Sequence, residues 1–154
     1  MQLPRGITGF RNNEELPLSR TDFATFRRHC FSVASLHRGR VRSVAAPTCN
    51  LPANFRWEVL DLEAKSIAVA LNSHWPIIAF VELPSEIGER LQFINVPEIV
   101  DSFRNFMTYE ILDATDAKRP LQDSDCLLLS PAELCQISYW QPKCYGDVVF
   151  NFWD

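Results

Sequence analysis

Three histidines, five cysteines and several closely spaced carboxylates are the side chains of this 154-residue chain suited to making or breaking bonds. His74 lies in the run Asn72-Ser73-His74-Trp75-Pro76, where a turn histidine beside a tryptophan marks His74 and Trp75 as a candidate pocket. His29 falls beside an apolar stripe, a surface or boundary position. His37 comes at the end of the same stretch, where a histidine eases the negative end of a helix dipole. The cysteines, Cys30, Cys49, Cys126, Cys135 and Cys144, are odd in number and contain no C-x-x-C pair. That spacing supports neither a disulfide framework nor a zinc site, and the reading is reduced, mostly buried thiols. Nucleophilic use of Cys49 or Cys126 would need a histidine that the sequence does not place beside them. Carboxylates pair up as Asp61/Glu63, Asp113/Asp116 and Asp123/Asp125. Alternate residues of a strand share a face, so Asp61 and Glu63 converge if their strand runs that far. Such pairs read as a solvated acidic edge, as a partner-binding patch or, if held in a cleft, as an acid–base pair. The five glycines are too dispersed for a phosphate-binding loop, and neither G-x-S-x-G nor H-E-x-x-H occurs. No catalytic residue, metal or cofactor is expected.

The elements that must position these groups are constrained first by composition. With 47% hydrophobic and 22% charged residues, the chain has globular rather than disordered character. Its net charge of −4 is unevenly spread: up to Arg56 there are nine arginines, no lysine and only Glu14, Glu15 and Asp22, a balance of +6 that leaves −10 for the rest. Those arginines either pair with the acidic half or bind an external anion. An acidic chain without a nucleic-acid-binding motif is not expected to bind DNA or RNA. The start, Met1 to Gly6, lacks the apolar run of a secretory signal. The most hydrophobic region, Ile67 to Leu83, is broken by Asn72, Ser73, His74 and Pro76, so it reads as two strands and a turn rather than a membrane span. A cytoplasmic protein is the expectation.

Periodicity predicts a helix over Thr21–Leu36, with Phe23, Phe26, Cys30, Val33 and His37 on one stripe, Ser19 or Thr21 as its cap and Gly39 as its stop. Strands follow over Arg40–Ala45, Phe55–Leu62, Ile67–Leu71, Ile77–Leu83 and Arg90–Asn95, the third and fourth reading as central strands buried on both faces. A second helix spans Pro97–Met107, its stripe made of Ile99, Val100, Phe103, Phe106 and Met107. Tyr109–Leu112 reads as a strand and Asp113–Ser124 as a polar loop. Ser130-Pro131-Ala132-Glu133 is a capping box with an N1 proline, the strongest local signal, and Leu134, Ile137 and Trp140 continue that helix. Asp147–Trp153 reads as a closing strand. Strands and helices intermingle without regular alternation, which predicts a single α+β domain over residues 1–154, a mostly antiparallel sheet with about three helices packed on it.

Three segments, Leu3-Pro4-Arg5-Gly6-Ile7-Thr8-Gly9-Phe10, Ala70 to Phe80 and Gly146 to Asp154, together resemble small bacterial proteins associated with polymorphic toxin systems, where such proteins serve as immunity partners. The resemblance covers about a fifth of the chain and carries over no catalytic residue. It implies a non-enzymatic cytoplasmic protein, monomer or homodimer, that binds and neutralises a cognate toxin. Many such proteins present an acidic face to a basic toxin, so Asp61, Glu63, Asp113, Asp116, Asp123 and Asp125 are the candidate partner-binding residues. The competing expectations are a small enzyme with a cleft near His74 and a structural or adaptor module.

Overall fold

The alternating and continuous apolar runs between residues 55 and 82 form the middle of one sheet. A computed structural model describes residues 2–42, 52–84 and 90–153. In it β1 (Arg40–Arg42), β2 (Phe55–Asp61), β3 (Ser66–Asn72) and β4 (Ile77–Glu82) follow one another as antiparallel neighbours. On the far side of β4, β5 (Phe93–Ile94) pairs antiparallel and β6 (Glu110–Ile111) parallel. Phe55, Trp57, Val59, Ala68, Ala70, Ala79 and Val81 point to one side of this sheet. Leu60, Ile67, Val69, Leu71, Ile78 and Phe80 point to the other. Both sides are covered. The first packs on Leu3 and Ile7 of the N-terminal segment, on α3 (Ala114–Lys118) and on α5 (Tyr145–Val149). The second packs on α1 (Phe23–Leu36) and α2 (Pro97–Arg104). Burial from both sides is what makes β3 and β4 continuous apolar runs. α4 (Pro131–Trp140) lies at the margin, with Glu133 its one buried residue. The architecture is α+β with a mostly antiparallel sheet. α1, α2 and α4 correspond to the three predicted helices.

Several local expectations are corrected. Asp22, not Ser19 or Thr21, caps α1, accepting from the Thr25 N–H at 3.0 Å, while the Thr21 hydroxyl donates to the carbonyl of Asn72 at 2.9 Å. At the other end Arg38, with φ 57°, takes the left-handed position, and the Gly39 N–H bonds to the carbonyl of Ala34 at 2.7 Å. This is the paired-bond helix stop, displaced one residue from the predicted glycine. α2 ends at Arg104, because Met107 turns left-handed (φ 51°) and is 93% exposed instead of joining the apolar stripe. The expected strand over Arg90–Asn95 shrinks to Phe93–Ile94, and that over Tyr109–Leu112 to Glu110–Ile111. The end of the expected Arg40–Ala45 strand lies outside the described residues, as does Cys49.

The loop expected over Asp113–Ser124 contains α3 and leads into a 3₁₀ turn, Asp123–Cys126. The Asp113 side chain caps α3 by accepting from the Asp116 N–H at 2.9 Å, and Ala114 and Ala117 are its buried face. The closing strand is replaced by α5 and an irregular tail. Val148, Val149 and Phe150 are all buried, without the two-sided alternation of a half-exposed strand. Asp147 fixes the start of α5 by accepting from the N–H groups of Lys143 and Cys144. On α4, Leu134 and Trp140, two of the residues that continue the helix, are exposed.

Candidate functional site

The three segments singled out in the sequence meet in one buried polar knot. Asn72, at the end of β3 and fully buried, donates from its amide to the carbonyls of Ile7 (3.0 Å) and Val149 (2.6 Å). Asn54 donates to the same two carbonyls at 2.7 and 3.0 Å. Asn151 donates to the carbonyls of Thr8 and Val148, both at 3.1 Å, and its backbone N–H reaches the Asn54 side-chain oxygen at 2.8 Å. Below them Glu133, fully buried on α4, accepts from the N–H of Gly6 (3.0 Å), the N–H and hydroxyl of Thr8 (3.3 and 2.9 Å) and the N–H of Ser130 (2.9 Å). Irregular backbone can be buried only when its polar groups find partners, and here side-chain amides and one carboxylate supply them.

The knot holds the walls of a cleft of about 630 Å³, lined by Arg5, Gly6, residues 15–19, His74, Trp75 and Pro76. The Asn72 side-chain oxygen accepts from the N–H groups of both His74 (2.9 Å) and Trp75 (3.0 Å), which closes the turn and sets where the two rings go. The Trp75 indole N–H donates to the carbonyl of Arg5 at 3.1 Å. His74 Nδ1 lies 2.8 Å from the carbonyl of Ser19; a carbonyl only accepts, so this contact keeps the proton on Nδ1. The other edge of the ring lies against Gly9, where a Cβ would come within 3.4 Å of His74 Nε2 and where φ is +86°. Glycine suits that position on both counts. Arg5 and Glu15 pair at 2.7 Å across one rim, and the Glu15 carboxylate also accepts from the Asn12 N–H. The rest of the lining is apolar, and two large side chains stand open to solvent: Leu16, 87% exposed, and Trp75, 38% exposed.

The structure places His74 and Trp75 side by side in a cleft and does not bring the six acidic candidates together. Asp61 and Glu63 sit at the β2–β3 turn, whereas Asp113 follows β6, across β3 and β4 in the strand order. Asp61 is engaged by the Arg42 guanidinium at 3.0 Å and by the Ser66 hydroxyl at 2.6 Å, which hold its carboxyl down to about 2. Asp113 is a helix cap. Asp125 is buried and bound by both terminal nitrogens of Arg119, at 2.7 and 2.8 Å, which lowers its pKa from the ordinary carboxylate range. Glu63, Asp113, Asp116 and Asp123 are exposed.

The arginines of the first part divide their loyalties. Arg27 pairs with the buried Glu58 at 3.3 Å and Arg42 with Asp61, whereas Arg5 finds Glu15 nearby. His29 stacks on Phe106 with centroids 3.8 Å apart and bonds to the Tyr109 hydroxyl at 2.7 Å; burial and the neighbouring Arg28 lower its pKa. His37 bonds to the Ser102 hydroxyl of α2 at 2.8 Å. Cys30 and Cys144 are buried, Cys126 is half-buried and Cys135 is exposed, and among the described residues no cluster of His, Cys, Asp and Glu is arranged to hold a metal. No helix among them is long and apolar enough to cross a membrane.

Sequence reasoning missed Asn54, Asn151, Glu15 and Leu16. The capping box did announce that Glu133 would reach Ser130, but nothing local announced its second oxygen, which serves a loop 125 and more residues away. No protein-family model matches the chain, and neither the curated proteins nor the solved structures compared with it contain a match.

Proposed function

We propose that this protein acts in the cytoplasm by binding a protein partner without turnover, as an immunity-type protein neutralises its cognate toxin, and that the Leu16–Trp75 cleft is a principal contact. The reading is supported by one observation above the others: a buried, mutually satisfied polar network fixes an irregular cleft whose rim leaves a leucine and a tryptophan in water. Pre-set apolar anchors over a rigid base are the arrangement in which a few side chains dominate binding. The titratable groups lining the cleft are Arg5, Glu15 and His74, and each already has a partner from the scaffold. Glu63, Asp113, Asp116 and Asp123, the exposed members of the acidic set, then contribute to attracting a basic partner rather than to the central contact.

The experiment is co-expression with the product of each adjacent reading frame, scored by growth and co-purification. Trp75→Ala and Leu16→Ala should each weaken the complex by about 30-fold, the equivalent of a 2 kcal/mol anchor. Charge reversal at Asp116 and Asp123 should slow association, most visibly at low salt. Unchanged affinity in the Leu16/Trp75 double variant, with an unchanged melting temperature, would reject the cleft. A small-molecule turnover abolished by His74→Ala in a folded protein would reject the binding reading as a whole.

A further inference from the structure

On the other side of the sheet, α1 sets Phe23, Arg27 and Phe31 at successive four-residue steps, so the three share one face, with Arg28 beside them. Arg56 rises from β2 to meet them, and with Ala24 these residues line a second cavity, of about 440 Å³. The Arg56 guanidinium carbon lies 3.8 Å from the centre of the Phe23 ring, and that of Arg27 5.8 Å from the Phe31 ring. Among the described residues, two carboxylates bear on this group. Glu58, nearly fully buried, pairs with Arg27 at 3.3 Å. Asp22 is linked to Arg28 through Thr25, whose hydroxyl donates to Asp22 at 2.6 Å and accepts from Arg28 at 2.7 Å. Three guanidinium groups therefore face two carboxylates, in a chain whose overall charge is negative.

A guanidinium over an aromatic ring uses its π face, which leaves its N–H edge to donate elsewhere. That edge of Arg56 meets no hydrogen-bond acceptor among the described residues, and Arg28 spends one donor on Thr25. Phe31, 49% exposed, adds an open ring at the mouth. We propose that this cavity binds a nucleoside phosphate, the phosphate held by the forks of Arg28 and Arg56 and the base stacked on Phe31. Arginine forks match phosphate oxygens in pairs, and a planar base covers a ring that water otherwise touches. This site is independent of the partner proposed above.

The test is titration calorimetry of the full chain with ATP, inorganic pyrophosphate and adenosine, each at low and high salt. ATP should bind, pyrophosphate more weakly and adenosine weakest, with the first two weakened by salt. Arg28→Ala and Arg56→Ala should each weaken ATP about tenfold, and Arg56→Lys should recover only part of that because lysine keeps the charge without the fork. Phe31→Ala should weaken ATP and leave pyrophosphate unchanged. All three positions are solvent-facing, and melting curves identify any variant that fails to fold; Arg28→Gln and Arg56→Gln then replace it. Absence of ATP binding, equal affinity for ATP and adenosine, or an ATP affinity indifferent to both arginine substitutions would overturn the proposal. Equal affinity for ATP and pyrophosphate would overturn the base-stacking half of it.

Discussion

The amides of Asn54 and Asn72 converge on the same two acceptors, the carbonyls of Ile7 and Val149, and this redundancy makes a sharp prediction. In Asn72→Ala each carbonyl keeps the Asn54 amide, and the N–H groups of His74 and Trp75 lose their acceptor at the edge of the turn, where water reaches them. Asn54→Ala leaves the Asn72 amide in place and frees the Asn151 N–H. At about 1 kcal/mol net for each lost bond, Asn72→Ala, which loses four, should cost about 4 kcal/mol and Asn54→Ala, which loses three, about 3 kcal/mol. In the double variant both carbonyls lose every side-chain donor while still buried, and an orphaned buried acceptor costs about 1–3 kcal/mol. The double variant should therefore fall below the sum of the singles by about 2 kcal/mol or more. The assay is urea unfolding of the four proteins of the cycle. All four are measured in the same concentration of a stabilising osmolyte, because the expected total approaches the whole stability of a domain. Additivity within about 0.5 kcal/mol would refute the claim that the two amides share their acceptors. Single losses below about 0.5 kcal/mol would refute the claim that the knot carries load at all.

Other consequences are checked more simply. Gly146→Ala would bring a Cβ to 2.5 Å from the Phe93 ring and 3.0 Å from the carbonyl of Ala117, so overpacking should cost about 1–3 kcal/mol and lower the melting temperature by roughly 3–10 °C. Asp61 and Asp125 have pKa values held below those of the unfolded chain, so they contribute stability that is complete above about pH 4 and is lost as pH falls through their folded values, about 2 for Asp61. Asp125→Asn should flatten the acid limb of a stability–pH curve, and an unchanged limb would count against the Arg119 pairing. In the native protein Cys135 should react with a thiol reagent well ahead of Cys30, Cys126 and Cys144, since it is exposed while burial raises the other three thiols; peptide mapping by mass spectrometry reads the order.

What the sequence made legible followed from repetition. β2, β3 and β4 repeat an apolar pattern over six or seven residues, α1 over four turns, and α4 opens on a capping box whose two bonds both form. α3 and α5 have five residues each, too few for a period, and apart from Tyr145 their buried faces are Ala114, Ala117, Gly146 and paired valines rather than a stripe of large side chains. The acidic pairs looked alike in sequence, yet the 3₁₀ turn carries Asp125 inward to Arg119 and leaves Asp123 outside. The Asn-Ser-His-Trp-Pro turn announced one wall of the cleft. The opposite wall, residues 5 to 19, has no regular structure to announce, and its position depends on bonds to Asn54, Asn72, Glu133 and Asn151 that span 47 to 143 residues.

Those long-range bonds also explain why the interior under the cleft is built from asparagine rather than leucine. A loop resting on a sheet exposes its N–H and C=O groups to whatever lies beneath, and an apolar floor would leave them unpaired. Asparagine offers a donor pair and an acceptor in one short side chain, so Asn72 binds the loop carbonyl of Ile7 and the turn amides of His74 and Trp75 at once. The carbonyl of Val149 is one of the groups a helix leaves without an internal partner at its C-terminal end, and the two amides complete it. Water would have satisfied the same groups had the loop stayed on the surface, and the loop would then have been mobile. Burying it on a satisfied floor fixes the turn that carries Trp75, as the binding role proposed above requires. Such fixing reduces the ordering entropy that association must otherwise overcome.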